Sequence, residues 1–302
     1  MVATGDRVIE VLNPGALSTI QDLGRPGLAH LGIPRSGAAD RRSLRLANRL
    51  VGNPDSAPAI EATLVGPRLR VWEAATLALT GADVPARRLG AGRAESELAM
   101  NVPVCAEAGD ELAIGTARSA LRTYIAVRGG LDVPRVLGSA STDLLTGLGP
   151  RPLRAGDRLA VGPAPQTPGP VDFAPDLHLT AANAGGGVRL GVVLGPRTDR
   201  FSPESVQTFL LSEFEVTPSS NRVGIRLRGP ALVPAHEQEL PSEGLVPGAI
   251  QVPPDGQPII LLADHPTTGG YPVIAVVRSD QLPAIGQLRP GERVGFVGVE
   301  AP

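Results

Sequence analysis

Glycine and proline occur so often in this sequence that long helices are not expected over most of its length. The 302 residues include 37 glycines and 31 prolines, roughly twice the average usage. They separate short apolar runs such as Ile259–Ala263 and Val273–Val277, a pattern typical of strands joined by turns. We therefore predict a mainly β fold with a few short helices. Aromatic residues make up only 3% of the chain, so we expect a core of Val, Leu, Ile and Ala.

Helices are predicted at three places. Asp40 is a typical N-cap, and the apolar residues that follow recur at helical spacing until Gly52. Ser202 and Pro203 begin a second helix, because proline is favoured at the first helical position. A short helix is also predicted at 280–288, whereas residues 15–40 are interpreted as one long loop. Strands are predicted at 8–12, 60–64, 69–72, 76–80, 111–114, 122–127, 158–161, 188–194, 223–227, 249–252, 258–262, 273–277 and 293–297.

The two halves of the chain contain related segments. LRAGDRLAVG at residues 153–162 is echoed by LRPGERVGFVG at 288–298, and two further echoes follow the same order. We predict tandem β domains at 1–165 and 186–302, with 166–185, which is rich in Pro, Ala and Gly, as a linker or crossing segment. The alternative is that unrelated β domains reuse the same turn chemistry.

Several chemistries are excluded by composition. All 28 basic residues are arginine, so no Schiff base, P-loop lysine or biotinyl-lysine can form on this chain. Any biotin must be carried by another protein. A net charge of −2 argues against nucleic acid as a partner.

Cysteine, histidine and the apolar runs lead to further expectations. The single cysteine, Cys105, excludes an intrachain disulfide and is predicted to be a small core residue. His30, His178, His236 and His265 are scattered, so no metal site is predicted. The N-terminus lacks an apolar leader segment, and no apolar run is long enough to span a bilayer. We expect a cytoplasmic protein without a membrane segment.

Polar residues among glycines and prolines mark the first candidate site. Gln21, Asp22, Arg25, Ser36 and Asp40 lie in the predicted long loop. Glycines allow close backbone approach to a ligand, and a guanidinium can bind a carboxylate or phosphate through two hydrogen bonds. The alternative is a surface loop whose polar groups bond to one another.

The second candidate site lies at the end of an apolar strand. Asp264 and His265 lead into a Thr-Thr-Gly-Gly turn, where they could act in acid–base chemistry or position a ligand; alternatively, His265 is a surface turn residue. Two more polar segments are weaker candidates. Residues 139–142 could bind a ligand or form a plain loop. Residues 220–222 could bind a ligand or form a solvated strand face.

Ordered motifs over residues 8–298 resemble a known family. They include TIQDLGRPGLAHLGIPRSGAAD, IEATLVGP, LGSAST and QVPPDGQPIILLADHPTTGGYPVIAVV. They are similar to the biotin-dependent carboxyltransferase and allophanate hydrolase subunit 2 family, which corresponds to the C/D half of the carboxyltransferase module of urea carboxylase. The chain most resembles the C subunit of bacterial 5-oxoprolinase. The resemblance implies two tandem cyclophilin-like β-barrel domains.

The resemblance also implies a function. The favoured one is the C subunit of a heteromeric ATP-dependent 5-oxoprolinase, a hydrolase that opens the 5-oxoproline lactam to glutamate and is inactive without its partners. ATP is bound by the chain or by a partner. The implied partners are an A/B-type, carboxyltransferase-like B subunit and a LamB/YcsF-like A subunit. One alternative is carboxyl transfer to urea, allophanate or another small amide, with biotin on a partner. Another is a regulator that antagonises a kinase-inhibitor protein. A free-standing chain without lysine is not expected to be a fused carboxylase.

Site residues follow from the same resemblance. Arg25 would hold a substrate carboxylate or a phosphate, Asp264 would orient a substrate N–H, and Gln251 would bond a carbonyl. The implied catalytic residues are Asp264, Gln251 and Asp40, and the implied substrate-binding residues are Gln21, Asp22, Arg25, Ser36, Thr268, Gly270 and Tyr271.

Overall fold

The computed structural model describes residues 8–90, 94–166, 187–233, 235 and 240–300. The chain separates into two compact units. The first consists of residues 1–25 and 40–177, and the second of residues 26–39 and 178–302. Residues 26–39 thus belong to the second unit although they precede most of the first in sequence. The predicted crossing segment 166–185 lies, except for residue 166, outside the described residues, and the boundaries at 165 and 186 stay predictions.

Short strands dominate both units. The strands of the first unit are β1 (Val8–Asn13), β2 (Leu17–Gln21), β3 (Ala59–Thr63), β4 (Arg68–Val71), β5 (Ala75–Asp83), β6 (Ala86–Leu89), β7 (Ser96–Glu97), β8 (Pro103–Ala106), β9 (Glu111–Ile114), β10 (Ser119–Val127), β11 (Leu131–Asp132) and β12 (Arg158–Val161). The strands of the second unit are β13 (Gly187–Leu194), β14 (Glu213–Val216), β15 (Gly224–Arg228), β16 (Glu243–Gly244), β17 (Ala249–Gln251), β18 (Ile259–Leu261), β19 (Thr268–Gly269), β20 (Val273–Val277) and β21 (Arg293–Gly298).

The helices are few and short. The α-helices are α1 (Arg41–Leu50), α2 (Pro203–Leu211) and α3 (Leu282–Ile285), and 3-10 turns occur at Ala29–Leu31, Thr198–Arg200 and Ser279–Gln281. Across the described part of the chain, no helix is both long and apolar enough to cross a membrane.

Two sheets share one core in the first unit. The seven-stranded sheet has the order β11-β12-β1-β4-β9-β6-β7, and the five-stranded sheet has the order β2-β3-β10-β5-β8. Side chains alternate along each strand, so β1 turns Ile9 and Val11 inward while β10 turns Ile125 and Val127 inward. This core is entirely aliphatic, as the composition predicts.

Helix α1 packs on β5 and β10 of the five-stranded sheet. Asp40 caps it, as predicted, by accepting hydrogen bonds from the backbone N–H groups of Arg42 and Ser43, each at 3.0 Å. An N-cap carboxylate satisfies N–H groups that have no partner within the helix. Leu44 and Ala47 form part of the buried face.

The second unit contains a closed barrel of seven strands, with the order β13-β20-β17-β18-β15-β14-β21. The barrel closes through a parallel pairing of β13 with β21, from Gly187 opposite Arg293 to Val192 opposite Gly298. Closure leaves no unpaired edge in the barrel. A separate two-stranded sheet pairs β16 with β19.

Phenylalanine fills the barrel, contrary to the expectation of a purely aliphatic core. Phe209 on α2 stacks on Phe296 of β21 at a centroid distance of 4.4 Å, and Phe214 lies 5.9 Å from Phe296. Four phenylalanines of the described residues are thus buried in this one core, where their large area stabilises the barrel. Ser202 caps α2 through its contact with the Ser205 N–H, as predicted.

The echoed LR-x-G-[DE] segments adopt the same turn. The Arg154 N–H donates to Asp157 Oδ2 at 2.8 Å, and the Arg289 N–H donates to Glu292 Oε2 at 2.8 Å. Both turns have a glycine at φ +88°. A third copy of this turn, in which the Glu107 N–H donates to Asp110 Oδ2, lies outside the repeat. Turn chemistry alone therefore does not establish a duplication.

The mainly β fold with short helices is confirmed, and several local predictions need correction. Leu17–Gln21 is strand β2 rather than loop, because pairing with β3 decides the state of a segment with weak local preference. Cys105 is exposed instead of buried, since it points outward from β8, an edge strand.

The phenylalanine cluster leads to a stability prediction. Phe209→Ala is expected to lower the free energy of unfolding by about 3–5 kcal/mol, because it leaves a cavity in a closed barrel. Leu211 lies on the same helix but is 72% exposed, so Leu211→Ala should change stability by less than about 0.5 kcal/mol. Urea unfolding followed by circular dichroism measures both, and equal losses would contradict this packing.

Candidate functional site

Asp22 is the centre of a buried polar cluster in the first unit. It follows the last residue of β2 and is 3% exposed. Its Oδ1 accepts hydrogen bonds from Ser139 Oγ at 2.6 Å and Ser141 Oγ at 2.5 Å, and its Oδ2 accepts one from the Ala140 N–H at 2.8 Å. Segment 139–142 is therefore a buried partner of Asp22 and not a plain surface loop.

Arg25 lies beside this cluster and is 1% exposed. Its Nη2 donates to Ser141 O at 2.6 Å, and its Nε donates to Val136 O at 3.4 Å. These backbone acceptors position the guanidinium without neutralising it. Gln21, the last residue of β2, directs its Nε2 to Thr142 O at 3.0 Å. Segment 141–142 thus holds both side chains through its carbonyl groups.

Asp40 belongs to a second buried network of the first unit. Its N–H donates to Tyr124 Oη at 2.7 Å, and that hydroxyl donates to Glu61 Oε2 at 2.7 Å. Arg122 Nε lies 3.5 Å from Glu61 Oε1. Burial raises the pKa of the Tyr124 phenol well above its ordinary value, and the carboxylates of Glu61 and Asp40 raise it further.

Ser36 and Asp264 meet in the second unit. Ser36 Oγ donates to Asp264 Oδ1 at 2.7 Å. Arg222 donates to both carboxylate oxygens at 2.9 Å and to Gly37 O at 2.6 Å. Arg222 and Asp264 have side-chain exposures of 1% and 0%. A solvated strand face is therefore the wrong interpretation for Arg222.

The remaining predicted residues lie around β17 and β19. Gln251 is 6% exposed, and its Nε2 donates to Tyr271 O at 3.2 Å. A Cβ at position 269 would lie 2.9 Å from that nitrogen, so the glycine leaves room for the amide. Thr268 and Gly270 are exposed, and the Tyr271 side chain is 49% exposed. His265 is buried, and its Nδ1 lies 2.7 Å from Pro266 O, so it is not a surface turn residue.

The structure thus brings some predicted residues together and separates others. Asp22 shares one cluster with Arg25, and Ser36 shares another with Asp264, whereas Asp40 lies in a third network as a helix cap. The structure adds Glu61 and Tyr124, which sequence reasoning did not select, and it pairs Arg222 of the candidate segment 220–222 with Asp264. The alternation of β10 could have indicated that Tyr124 lies on the same face as Ala126, opposite Ile125 and Val127, but nothing in the sequence pairs Arg222 with Asp264. The catalytic and substrate-binding roles themselves stay predictions.

A family model described as "Carboxyltransferase domain, subdomain A and B" matches residues 31–298. The chain is 36% identical to the C subunit of 5-oxoprolinase from Escherichia coli strain K12 over 96% of this chain and 91% of that protein. It is 38% identical to urea amidolyase of Lachancea kluyveri over 96% of this chain, which corresponds to 17% of that protein.

A solved structure has the same fold. The crystal structure of Kluyveromyces lactis urea carboxylase aligns with a TM-score of 0.85 and 33% identity, covering 99% of this chain and 28% of that chain. The match extends over both units, each with its own core.

The buried Tyr124 phenol leads to a pH prediction. An unfolded tyrosine loses its proton near pH 10, whereas the folded protein keeps it, so the unfolded state binds fewer protons and stability falls as the pH rises above about 10. With no lysine in the chain, no ammonium side chain titrates in the same range. Tyr124→Phe should abolish the part of the alkaline stability loss that arises from the Tyr124 phenol.

Urea unfolding at neutral pH and at several values between about pH 9 and 11 tests the prediction. Tyr271→Phe is the matched control, because it removes the hydroxyl of the other tyrosine, which is 49% exposed. At neutral pH, Tyr124→Phe should cost about 1–3 kcal/mol for two lost buried hydrogen bonds. The same alkaline slope in Tyr124→Phe and in the parent protein would contradict the assignment.

Proposed function

Because the chain belongs to the carboxyltransferase domain family, subdomains A and B, we propose that it acts as the C subunit of a heteromeric, ATP-dependent 5-oxoprolinase. The support is the extent of the match. The similarity to the E. coli C subunit runs through nearly all of both chains, whereas the similarity to urea amidolyase covers a small part of a much longer protein.

Arg25 is the group we assign to the carboxylate of 5-oxoproline. Its guanidinium is buried and fixed by two backbone carbonyls, and its Nη1 has no hydrogen-bond partner among the described residues. A buried N–H group without a partner is costly, and an anionic oxygen would satisfy both the hydrogen bond and the charge. The unpartnered Nη1 of the buried Arg25 guanidinium is therefore the observation that favours a small carboxylate substrate.

Opening the lactam requires activation, because amide resonance makes the carbonyl carbon a poor electrophile. In the proposed reaction the γ-phosphoryl group of ATP is transferred to the lactam oxygen and ADP leaves. One water then adds to the carbon and the C–N bond breaks, with a proton going to the nitrogen, which leaves an acyl phosphate. A second water attacks the acyl carbon and releases phosphate. The products are glutamate, ADP and phosphate. The contribution of this chain is to bind and orient the lactam.

The residues fit one anionic group better than a triphosphate. Arg25 offers a single Nη1 for a ligand, since Nη2 and Nε are bonded to the protein. The sequence has no lysine and no P-loop motif to surround three phosphates. We therefore propose that ATP is bound by the partners, an A/B-type B subunit and a LamB/YcsF-like A subunit, and that this chain does not contact its phosphates.

Carboxyl transfer to a small amide is the second candidate. The observation in its favour is the similarity to urea amidolyase, whose 38% identity is comparable to the 36% identity with the C subunit. With no lysine to carry biotin, this chain would act on carboxybiotin from a partner. In that reaction the carboxyl group would pass from the biotin nitrogen to a nitrogen of the amide.

Glutamate release separates the candidates. We expect this chain, copurified with both partners, to convert 5-oxoproline and ATP to glutamate, and we expect omission of this chain alone to abolish the reaction. Chromatographic glutamate detection and phosphate release are measured on the same sample. Glutamate formation that persists without this chain, or an intact complex that forms none, would contradict the proposal.

A further inference from the structure

Three buried polar atoms of the first unit lack partners among the described residues. They are Gln21 Oε1, Arg25 Nη1 and Asp143 Oδ2, and each residue is at most 1% exposed. Buried polar atoms without hydrogen bonds are rare in folded proteins, and each one calls for a physical explanation. Here they occur close together in the fold.

Consecutive residues bring the three atoms into one region. Ser141 O accepts from Arg25, Thr142 O accepts from Gln21, and Asp143 follows directly. The Thr142 N–H also donates to Ile20 O at 2.9 Å, which fixes this segment beside β2. The unpartnered atoms thus belong to β2, the segment after it and residue 143.

Asp143 differs from the other buried carboxylates near the predicted site. Both oxygens of Asp22 accept hydrogen bonds within the first unit, and both oxygens of Asp264 do so within the second. In Asp143 only Oδ1 is used, accepting from the Leu145 and Thr146 N–H groups. Asp143 Oδ2 is thus a carboxylate oxygen available to an N–H donor.

We propose that Gln21, Arg25 and Asp143 bind a small ligand that carries an amide N–H and an anionic oxygen, with Asp143 Oδ2 accepting the N–H. Arg25 supplies a cationic donor, while Gln21 and Asp143 supply acceptors, and a lactam, urea or primary amide has the complementary groups. Asp143 is a positioning residue that determines specificity for nitrogen over oxygen. Identification of the ligand as 5-oxoproline rests on the proposed function.

Access requires local movement, because the three atoms are enclosed. Residues 144–147, which follow Asp143, are exposed, and the N–H groups of residues 145–147 donate back to Asp143. These exposed residues are the part of the region best able to move during ligand entry.

Asp143→Asn tests the inference with little change in structure. The variant keeps an oxygen for the Leu145 and Thr146 N–H groups, and it replaces the available acceptor with an NH₂ donor. In the three-subunit complex we expect KM for 5-oxoproline to rise roughly tenfold or more, with a smaller change in kcat. The preference for 5-oxoproline over the lactone in which oxygen replaces N–H should fall by a similar factor.

Asp255→Asn is the matched control, because Asp255 makes the same kind of turn contact, to the Gln257 N–H, in an exposed position. If Asp143→Asn and Asp255→Asn both keep the KM and the lactam preference of the parent, the inference is wrong. Asp143 Oδ2 then binds only water. Turnover by the parent complex would then leave the proposed function intact.

Calorimetry separates the two proposals if the complex shows no turnover. Binding of 5-oxoproline or urea to the parent complex and its loss in Asp143→Asn would support the site while the proposed function fails. Equal binding by both, or no binding of either compound to the parent, would overturn the site.

A second pair of variants probes the Arg25 side of the site. Gly147 and Gly149 both have left-handed backbones, at φ +73° and +82°, so alanine strains both positions similarly. A Cβ at 149 would lie 2.1 Å from Ser141 O, which holds Arg25, whereas a Cβ at 147 would meet open space. Gly149→Ala should weaken 5-oxoproline binding and Gly147→Ala should not. Equal affinities in two folded variants would contradict the inference.

Discussion

The buried ion pair of Arg222 and Asp264 ties together segments of the second unit that lie 42 residues apart in sequence. Moving two charges out of water costs several kcal/mol, which only complete hydrogen bonding can offset. Asp264 therefore takes a two-pronged contact from Arg222 and a third bond from Ser36, and Arg222 also donates to Gly37 O. These bonds hold Ser36 in a left-handed conformation, at φ +52°, that a serine rarely adopts alone.

At Asp22 the first unit solves the same problem mainly with hydroxyl and backbone donors. Asp22 accepts short hydrogen bonds from Ser139, Ser141 and the Ala140 N–H, and the half-exposed guanidinium of Arg135 lies 3.4 Å from its Oδ2. These bonds hold segment 139–142 beside the end of β2. Asp143 is bonded through one oxygen only, and such incomplete satisfaction is what distinguishes a group available to a ligand from one that holds the fold.

Local sequence rules succeeded where local physics decides the structure. The caps at Asp40 and Ser202 were predictable because a side chain two or three residues away satisfies helix N–H groups. Strands such as β12 and β21 follow turns whose glycines require a positive φ. For the candidate site, the sequence was enough to select the polar residues within 21–25 and the segment 139–142. Their mutual contacts span more than a hundred residues, a separation that no local pattern encodes.

The sequence by itself therefore determined the mainly β character, the helix starts and the absence of lysine chemistry, because composition and short-range hydrogen bonding govern these properties. Only the tertiary structure decided which carboxylates have both oxygens hydrogen-bonded and which keep an oxygen without a partner among the described residues. It also placed Cys105 on the surface and buried four phenylalanines of the described residues in the barrel core. The physical reason is that burial and hydrogen-bond satisfaction depend on partners that are distant in the chain and become neighbours only when the strands pair.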